Sequence, residues 1–140
     1  MEKNKLYLSW KWVDEQINTI GDKLDGYELE FIAGIPRGGL IPAVMMSHAF
    51  GIKYISYSSA KLLPKELREK TIVIDDISDT GVTMKEAVDL GFITAALSLR
   101  SGTKTVPNFI GEQINNDSWL VFPWEKLDSI PMQNYLVDQK

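Results

Sequence analysis

Apolar positions along the chain take two forms, stripes at helical spacing and short unbroken runs. Trp10, Val13, Ile17, Ile20 and Leu24 recur every three or four residues, which predicts a first helix. Ser9 is placed to cap it, Asp14 and Glu15 suit its positive end, and Asp25 and Gly26 stop it. LEFIAGI, residues 29 to 35, is an unbroken apolar run ending at Pro36, the pattern of a strand buried on both faces. The loop PRGG follows, then LIPAVMMSHAF at 40 to 50, an all-round apolar helix closed by Gly51. The same alternation continues with a strand at 54 to 57, a charged stretch at 61 to 70 and a second buried strand, TIVI, at 71 to 74. DDISDTGVT reads as a loop, and a helix is expected from about Thr83 to Leu90, where Thr83 and Glu86 have capping-box spacing. Phe92 to Leu99 is expected to form a further strand. Strands alternating with helices predict an α/β fold with an open, mostly parallel sheet flanked by helices and right-handed crossovers.

The last forty residues break this rhythm with Asn, Pro, Trp and short apolar pieces, so a small C-terminal hood is expected on a single domain. The core is taken as about 1–110 and the hood as about 111–140. A length of 140 residues suffices for a core without disulfides, and the absence of cysteine excludes thiol nucleophiles, iron–sulfur clusters and Cys-type zinc. No apolar run reaches the ~20 residues of a membrane span, and the start MEKNKLYLSWKW lacks a signal-peptide pattern. A soluble, cytoplasmic protein without a membrane partner is expected. The net charge of −4 and the lack of a basic block argue against nucleic acid as a partner.

Ligands of such sheets bind beyond the carboxyl ends of the strands. Two loops there have unusual composition. Pro36, Arg37, Gly38 and Gly39 lie between a buried strand and a helix, where amides and a guanidinium can receive an anion; a tight turn with a surface arginine is the alternative. Asp75 and Asp76 stand where a strand ends, and Asp79, Thr80, Gly81, Val82 and Thr83 lead into the next helix. Hydroxyls and amides at a helix start can hold a phosphate monoester, while neighbouring carboxylates accept from sugar hydroxyls or help hold Mg²⁺. A solvated turn in which Asp79 or Thr83 merely caps the helix is the competing reading. The chain contains neither GxxxxGK[ST] nor GxGxxG.

TIVIDDISDTGVT, residues 71 to 83, resembles the phosphoribosyl pyrophosphate motif of type I phosphoribosyltransferases. GIPRGG at 34 to 39 is similar to that family's pyrophosphate loop, and DSWLVFPWE at 117 to 125 resembles the purine-covering segment of bacterial xanthine-guanine phosphoribosyltransferases. The resemblance spans about residues 27 to 125. It implies that phosphoribosyl pyrophosphate is bound by Arg37, Gly38 and Gly39 and by Asp75, Asp76, Ile77, Ser78, Asp79, Thr80, Gly81, Val82 and Thr83. Within that set, Asp75 and Asp76 would face the ribose hydroxyls, with Asp76 on Mg²⁺, the implied cofactor. Asp79 would meet the purine imidazole nitrogen as proton acceptor. Arg100 falls where the purine enzymes carry a lysine donating to the 6-oxo group, Trp119 would stack on the base, and the backbone of Leu120 would read its edge.

The implied activity is Mg²⁺-dependent transfer of phosphoribosyl from phosphoribosyl pyrophosphate to a 6-oxopurine (guanine, xanthine or hypoxanthine), in an enzyme working as a homo-oligomer, dimer or tetramer. A non-catalytic binding module of the same fold and an enzyme for another base stay open as alternatives. Ser56 and Tyr57 look like the Ser-Tyr pair of the family's flexible lid, but 58 to 70 is markedly shorter than that lid. Lys65 and Arg68 are candidate lid cations or a solvated charged face. His48, alone in an apolar helix, is expected at a packing or subunit contact, and Trp10, Trp12 and Trp124 are expected to anchor packing.

Overall fold

The computed structural model describes residues 4–125. In chain order the elements are β1 (Lys5–Tyr7), α1 (Trp10–Lys23), β2 (Phe31–Gly34), α2 (Leu40–Phe50), β3 (Lys53–Tyr54), α3 (Tyr57–Ala60), α4 (Lys65–Arg68), β4 (Thr71–Ser78), α5 (Val82–Asp89), β5 (Ile93–Arg100), β6 (Phe109–Ile114) and β7 (Trp119–Val121). Five strands form one sheet in the order β3-β2-β4-β5-β6, and every pairing in it is parallel. Strands β1 and β7 form a separate two-stranded parallel pair, Lys5 opposite Trp119 and Tyr7 opposite Val121. Residues 126–140 of the expected hood lie outside the described residues.

Both faces of the sheet are buried, which is why its inner strands read as unbroken apolar runs. Ile32, Ile72, Ile74, Ala95 and Leu97 face α1 and α2. Ala33, Val73 and Ala96 face the opposite way, against Tyr57, Met84 and Ala87 of α3 and α5. Helix α1 begins as its spacing predicts: Ser9 Oγ accepts from the Trp12 amide at 3.0 Å, and Val13, Ile17, Ile20 and Leu24 are buried. Asp14 and Glu15 lie past its first turn, so neither sits on the unpaired amides. Ser9→Ala is expected to cost about 1 kcal/mol, read as a lower urea midpoint with an unchanged slope.

Four expectations are corrected. The strand expected at 54 to 57 is confined to Lys53–Tyr54, because Ser56 caps α3 and takes Tyr57 into the helix; Ser56 Oγ accepts from the Ser59 amide at 3.1 Å. Strand β4 does not end at Ile74 but runs through the acids to Ser78, held by its ladder with β5 as far as Ser78 opposite Leu99. Thr83 and Glu86 form no capping box, since α5 starts at Val82 with Gly81 at its N-cap (φ +84°). Glu86 instead accepts from the Tyr57 hydroxyl at 2.7 Å and pairs with Lys61 at 3.4 Å. Arg68 is neither a lid cation nor a solvated charge: its Nε donates to Leu90 O and its Nη1 to Leu63 O, both at 2.7 Å, tying α4 to the end of α5.

The hood packs on α1 through aromatics. Trp124 stacks on Phe122 at 5.0 Å, Trp10 tilts against Trp124 at 5.9 Å, and Trp12 against Phe122 at 6.1 Å. Among the described residues, no helix is long and apolar enough to cross a membrane.

Candidate active site

From β2 the chain crosses through α2 to β3 on one side, whereas β4, β5 and β6 step away on the other. The order therefore reverses between β2 and β4, and a crevice opens beyond their carboxyl ends. The PRGG loop leaves β2 on one side of it, and residues 79–81 leave β4 on the other. The two sides touch: a methyl group built on Gly38 would collide with the Asp76 carboxylate, and one on Gly39 with Ile74 O. Glycine is thus required where the loop crosses the strand end. The Pro36–Arg37 peptide is cis. Both helices that start at the crevice, α2 and α5, begin after glycine without a side-chain cap, leaving first-turn amides for other acceptors.

The two acids are neighbours on β4, and their carboxyl groups interact directly. Asp75, 2% exposed, points toward α5; its Oδ1 accepts from the Asp76 amide at 2.8 Å, and the Thr83 hydroxyl also bonds its carboxyl group. Asp76 points toward the PRGG loop and accepts from the Ile77 amide at 2.7 Å. Burial raises the Asp75 carboxyl well above the ordinary aspartate range, and the charge of Asp76 adds to the effect. Asp76 is also raised, first by burial and further by the negative charge of Glu125, against the hydrogen bonds that favour its ionised form. Glu125 is held in the hood turn, where its Oε1 accepts from the Phe122 amide at 2.9 Å. Its approach to Asp76 was not legible from spacing, since 49 positions of chain separate the two.

Farther along the strand ends, Asp79 and Arg100 form an ion pair, Oδ1 to Nε 3.5 Å, with side chains 29% and 14% exposed. Arg100 Nη1 donates to Asn116 O at 2.7 Å, which fixes the guanidinium from its other side. A cavity of about 380 Å³ opens here, lined by Asp79, Arg100, Ser101, Asn115, Asn116 and Asp117. Asn115 and Asn116 were not singled out from sequence, and Asp117 only as the first residue of the 117 to 125 segment; all three lie in the β6–β7 connection, and the fold brings them to the β4 and β5 ends.

The structure therefore brings together Gly38, Gly39, Asp75, Asp76 and Thr83 around the crevice, and Asp79 with Arg100 beside it. Ser78 is buried, its Oγ donating to Thr105 O at 3.3 Å, and Gly81 packs against Thr105. Thr80 Oγ1 accepts weakly from the Val82 amide at 3.3 Å, and Ile77 is partly buried against the core. Trp119 and Leu120 lie in β7 outside the lining of the cavity, Trp119 half-buried and Leu120 buried. Ser56 is exposed and caps α3, whereas Tyr57 is absorbed into packed structure, 8% exposed and resting on Phe92 at 6.1 Å. His48 is exposed in the last turn of α2, whose first turn is the one at the crevice.

No protein-family model matches the chain. It is 25% identical to the xanthine-guanine phosphoribosyltransferase of Idiomarina loihiensis, over 86% of this chain and 87% of that one. The purine phosphoribosyltransferase of Pyrococcus horikoshii superimposes with a TM-score of 0.73 at 30% identity, covering 93% of this chain and 99% of that one. The xanthine-guanine-hypoxanthine phosphoribosyltransferase of Helicobacter pylori shares the fold, with a TM-score of 0.69 at 16% identity over 87% and 94% of the two chains.

Proposed function

This chain belongs to the type I phosphoribosyltransferases, enzymes that here transfer phosphoribosyl from phosphoribosyl pyrophosphate to a purine base with release of pyrophosphate, and from that premise we propose that its base is a 6-oxopurine and its reaction Mg²⁺-dependent. The observation that carries the choice of base is the Asp79–Arg100 pair on the wall of the cavity. A 6-oxopurine offers a carbonyl acceptor beside its imidazole nitrogen, whereas adenine offers an amino donor there. Arg100 has only donors, and Asn116 O occupies one of its nitrogens, so its remaining N–H groups favour an oxo group and oppose an amino group.

Displacement of pyrophosphate from the anomeric carbon builds positive character on the ribose and negative charge on the leaving group. Asp79 accepts the proton released by the purine nitrogen as the new bond forms. Gly38, Gly39 and Arg37 receive the pyrophosphate, and the backbone from Thr80 to Thr83 at the start of α5 receives the 5-phosphate. Asp75 and Asp76 accept from the ribose hydroxyls. Trp119 is assigned to stack on the base and the backbone of Leu120 to read its edge.

The donor set at Asp76 suits a hard cation. Among the described residues no three metal-ligating side chains cluster, but Mg²⁺ is commonly held by one or two carboxylates together with substrate phosphates. Burial, with a smaller contribution from the charge of Glu125, raises the Asp76 carboxyl, and a cation bound there would favour its ionised form. Bound there, Mg²⁺ supplies stabilisation of the departing pyrophosphate. The place of the reaction is purine salvage, and we expect the enzyme to act as a homo-oligomer.

The test is pyrophosphate release from phosphoribosyl pyrophosphate with guanine, xanthine, hypoxanthine, adenine, uracil or orotate, with Mg²⁺ and with EDTA. Turnover confined to the 6-oxopurines and abolished by EDTA is expected. Adenine turnover equal to guanine turnover removes the role given to Arg100. Tight phosphoribosyl pyrophosphate binding without turnover of any base identifies a binding module instead.

A further inference from the structure

The β4–β5 ladder ends at Ser78 opposite Leu99, one residue short of Asp79 and Arg100, so the two residues that face the base sit just beyond the hydrogen bonds that unite their strands. In place of the next rung stands a side chain from the connection after β5. Thr103 Oγ1 lies 2.7 Å from Asp79 O, 2.7 Å from Arg100 O and 3.2 Å from Ser78 O. One hydroxyl proton is shared among carbonyls of both strand ends. The Thr103 amide adds a bond to Arg100 O at 3.2 Å, and Thr105 O takes the Ser78 hydroxyl, so the 103–105 segment lies against both ends of the pair.

Resting on the 6-oxopurine reading above, we infer that Thr103 is a positioning residue for base recognition: its hydroxyl continues the sheet by one rung and thereby fixes the spacing of Asp79 and Arg100. The other anchors of the β5 end lie on its far side, in the β6 ladder where Arg100 stands opposite Ile114, in the Ser101 amide on Ile114 O at 2.9 Å and in Asn116 O on the guanidinium, so past the Ser78–Leu99 rung the backbone link toward β4 is the Thr103 hydroxyl. The pair's Nε–Oδ1 separation of 3.5 Å is long for a charge-assisted hydrogen bond. A small relaxation of either strand end therefore separates the acceptor and the donor that the base must meet together.

Thr103→Val removes the hydroxyl at nearly constant shape, Thr103→Ala removes it with less bulk, and Thr103→Ser keeps it. With the 6-oxopurine that the parent uses fastest, both hydroxyl-free variants are expected to raise KM for the base about tenfold. KM for phosphoribosyl pyrophosphate stays within about twofold, because the phosphate and ribose contacts arise from other residues. The serine variant behaves as the parent. Independently of turnover, the Arg100 Nε–H in ¹⁵N-labelled ligand-free protein is expected to exchange with solvent about tenfold faster in the valine and alanine variants, and at the parental rate in serine. Parental base KM and parental Nε–H exchange in both hydroxyl-free variants overturn the assignment. So does a rise in KM for phosphoribosyl pyrophosphate equal to that for the base, which would place the hydroxyl's effect on the phosphate loop. A parent that turns over no 6-oxopurine refutes the proposed function, while the exchange measurement still decides whether Thr103 holds the pair.

Discussion

Asp79→Asn is expected to lower kcat by about 10²- to 10⁴-fold while leaving KM for phosphoribosyl pyrophosphate within about twofold. The amide matches the carboxylate in shape and leaves the backbone of residue 79, to which Thr103 is bonded, in place. It cannot take the proton that the purine nitrogen sheds as the bond to ribose forms, and it removes the negative partner of Arg100. The proposed function assigns phosphate binding to the neighbouring glycine loop and the start of α5, so the loss is expected on the chemical step rather than on substrate affinity. Single-turnover pyrophosphate release with saturating phosphoribosyl pyrophosphate measures that step directly. Turnover of the variant equal to the parent's refutes the assignment of Asp79 as proton acceptor.

What sequence reading reaches here, and what it misses, follows from where the information is stored. The runs at 29 to 35 and 71 to 74 announce buried parallel strands because both of their faces need apolar side chains, and Gly51 marks the end of α2 because only a left-handed residue closes it there (φ +67°). β1 carries no such signal: Lys5, Leu6 and Tyr7 are all exposed, and pairing with β7 alone makes them a strand. The continuation of β4 through Asp75 and Asp76 is hidden for a related reason, since charged residues are depleted from strands and the ladder with β5 overrides that preference. Likewise Thr83 and Glu86 have the spacing of a capping box, but Asp75 and Tyr57 are their partners in space.

The site divides in the same way. Its acids and glycines are contiguous in two stretches of sequence, the loop after β2 and the end of β4 with the residues after it, and can be read directly, whereas the groups that hold them come from distant positions. Asn116 O on Arg100, Thr103 on Asp79 and Glu125 near Asp76 all depend on tertiary structure; no periodicity or motif marks the first two, and Glu125, though it closes the 117 to 125 motif, is not marked there as a neighbour of Asp76. The lid shows the opposite error. Ser56 and Tyr57 match a familiar dipeptide, yet the short segment after them lets Tyr57 bury itself on Phe92 and bond Glu86, so the dipeptide serves packing.

The second large effect is expected at Asp75, where stability and function pull apart. Burial, with the charge of Asp76, lifts its carboxyl well above the ordinary aspartate range. A raised acid binds its proton more tightly in the folded chain than in the unfolded one. Between the ordinary range and the raised value the native state therefore holds more protons, and the free energy of unfolding falls as pH rises through that window. Asparagine is neutral throughout and still offers an oxygen to the Asp76 amide and the Thr83 hydroxyl. Ligand-free Asp75→Asn is thus expected to exceed the parent in stability at pH 8 by about 1 kcal/mol, a Tm rise of roughly 3–5 °C, with the advantage shrinking toward pH 4. Its affinity for phosphoribosyl pyrophosphate should fall about tenfold or more under the proposed assignment, in which the Asp75 carboxylate accepts from the ribose hydroxyls. Thermal unfolding from pH 4 to 8, paired with calorimetric titration, measures both. A variant no more stable than the parent at pH 8 would mean that internal hydrogen bonds already offset the burial of this carboxylate.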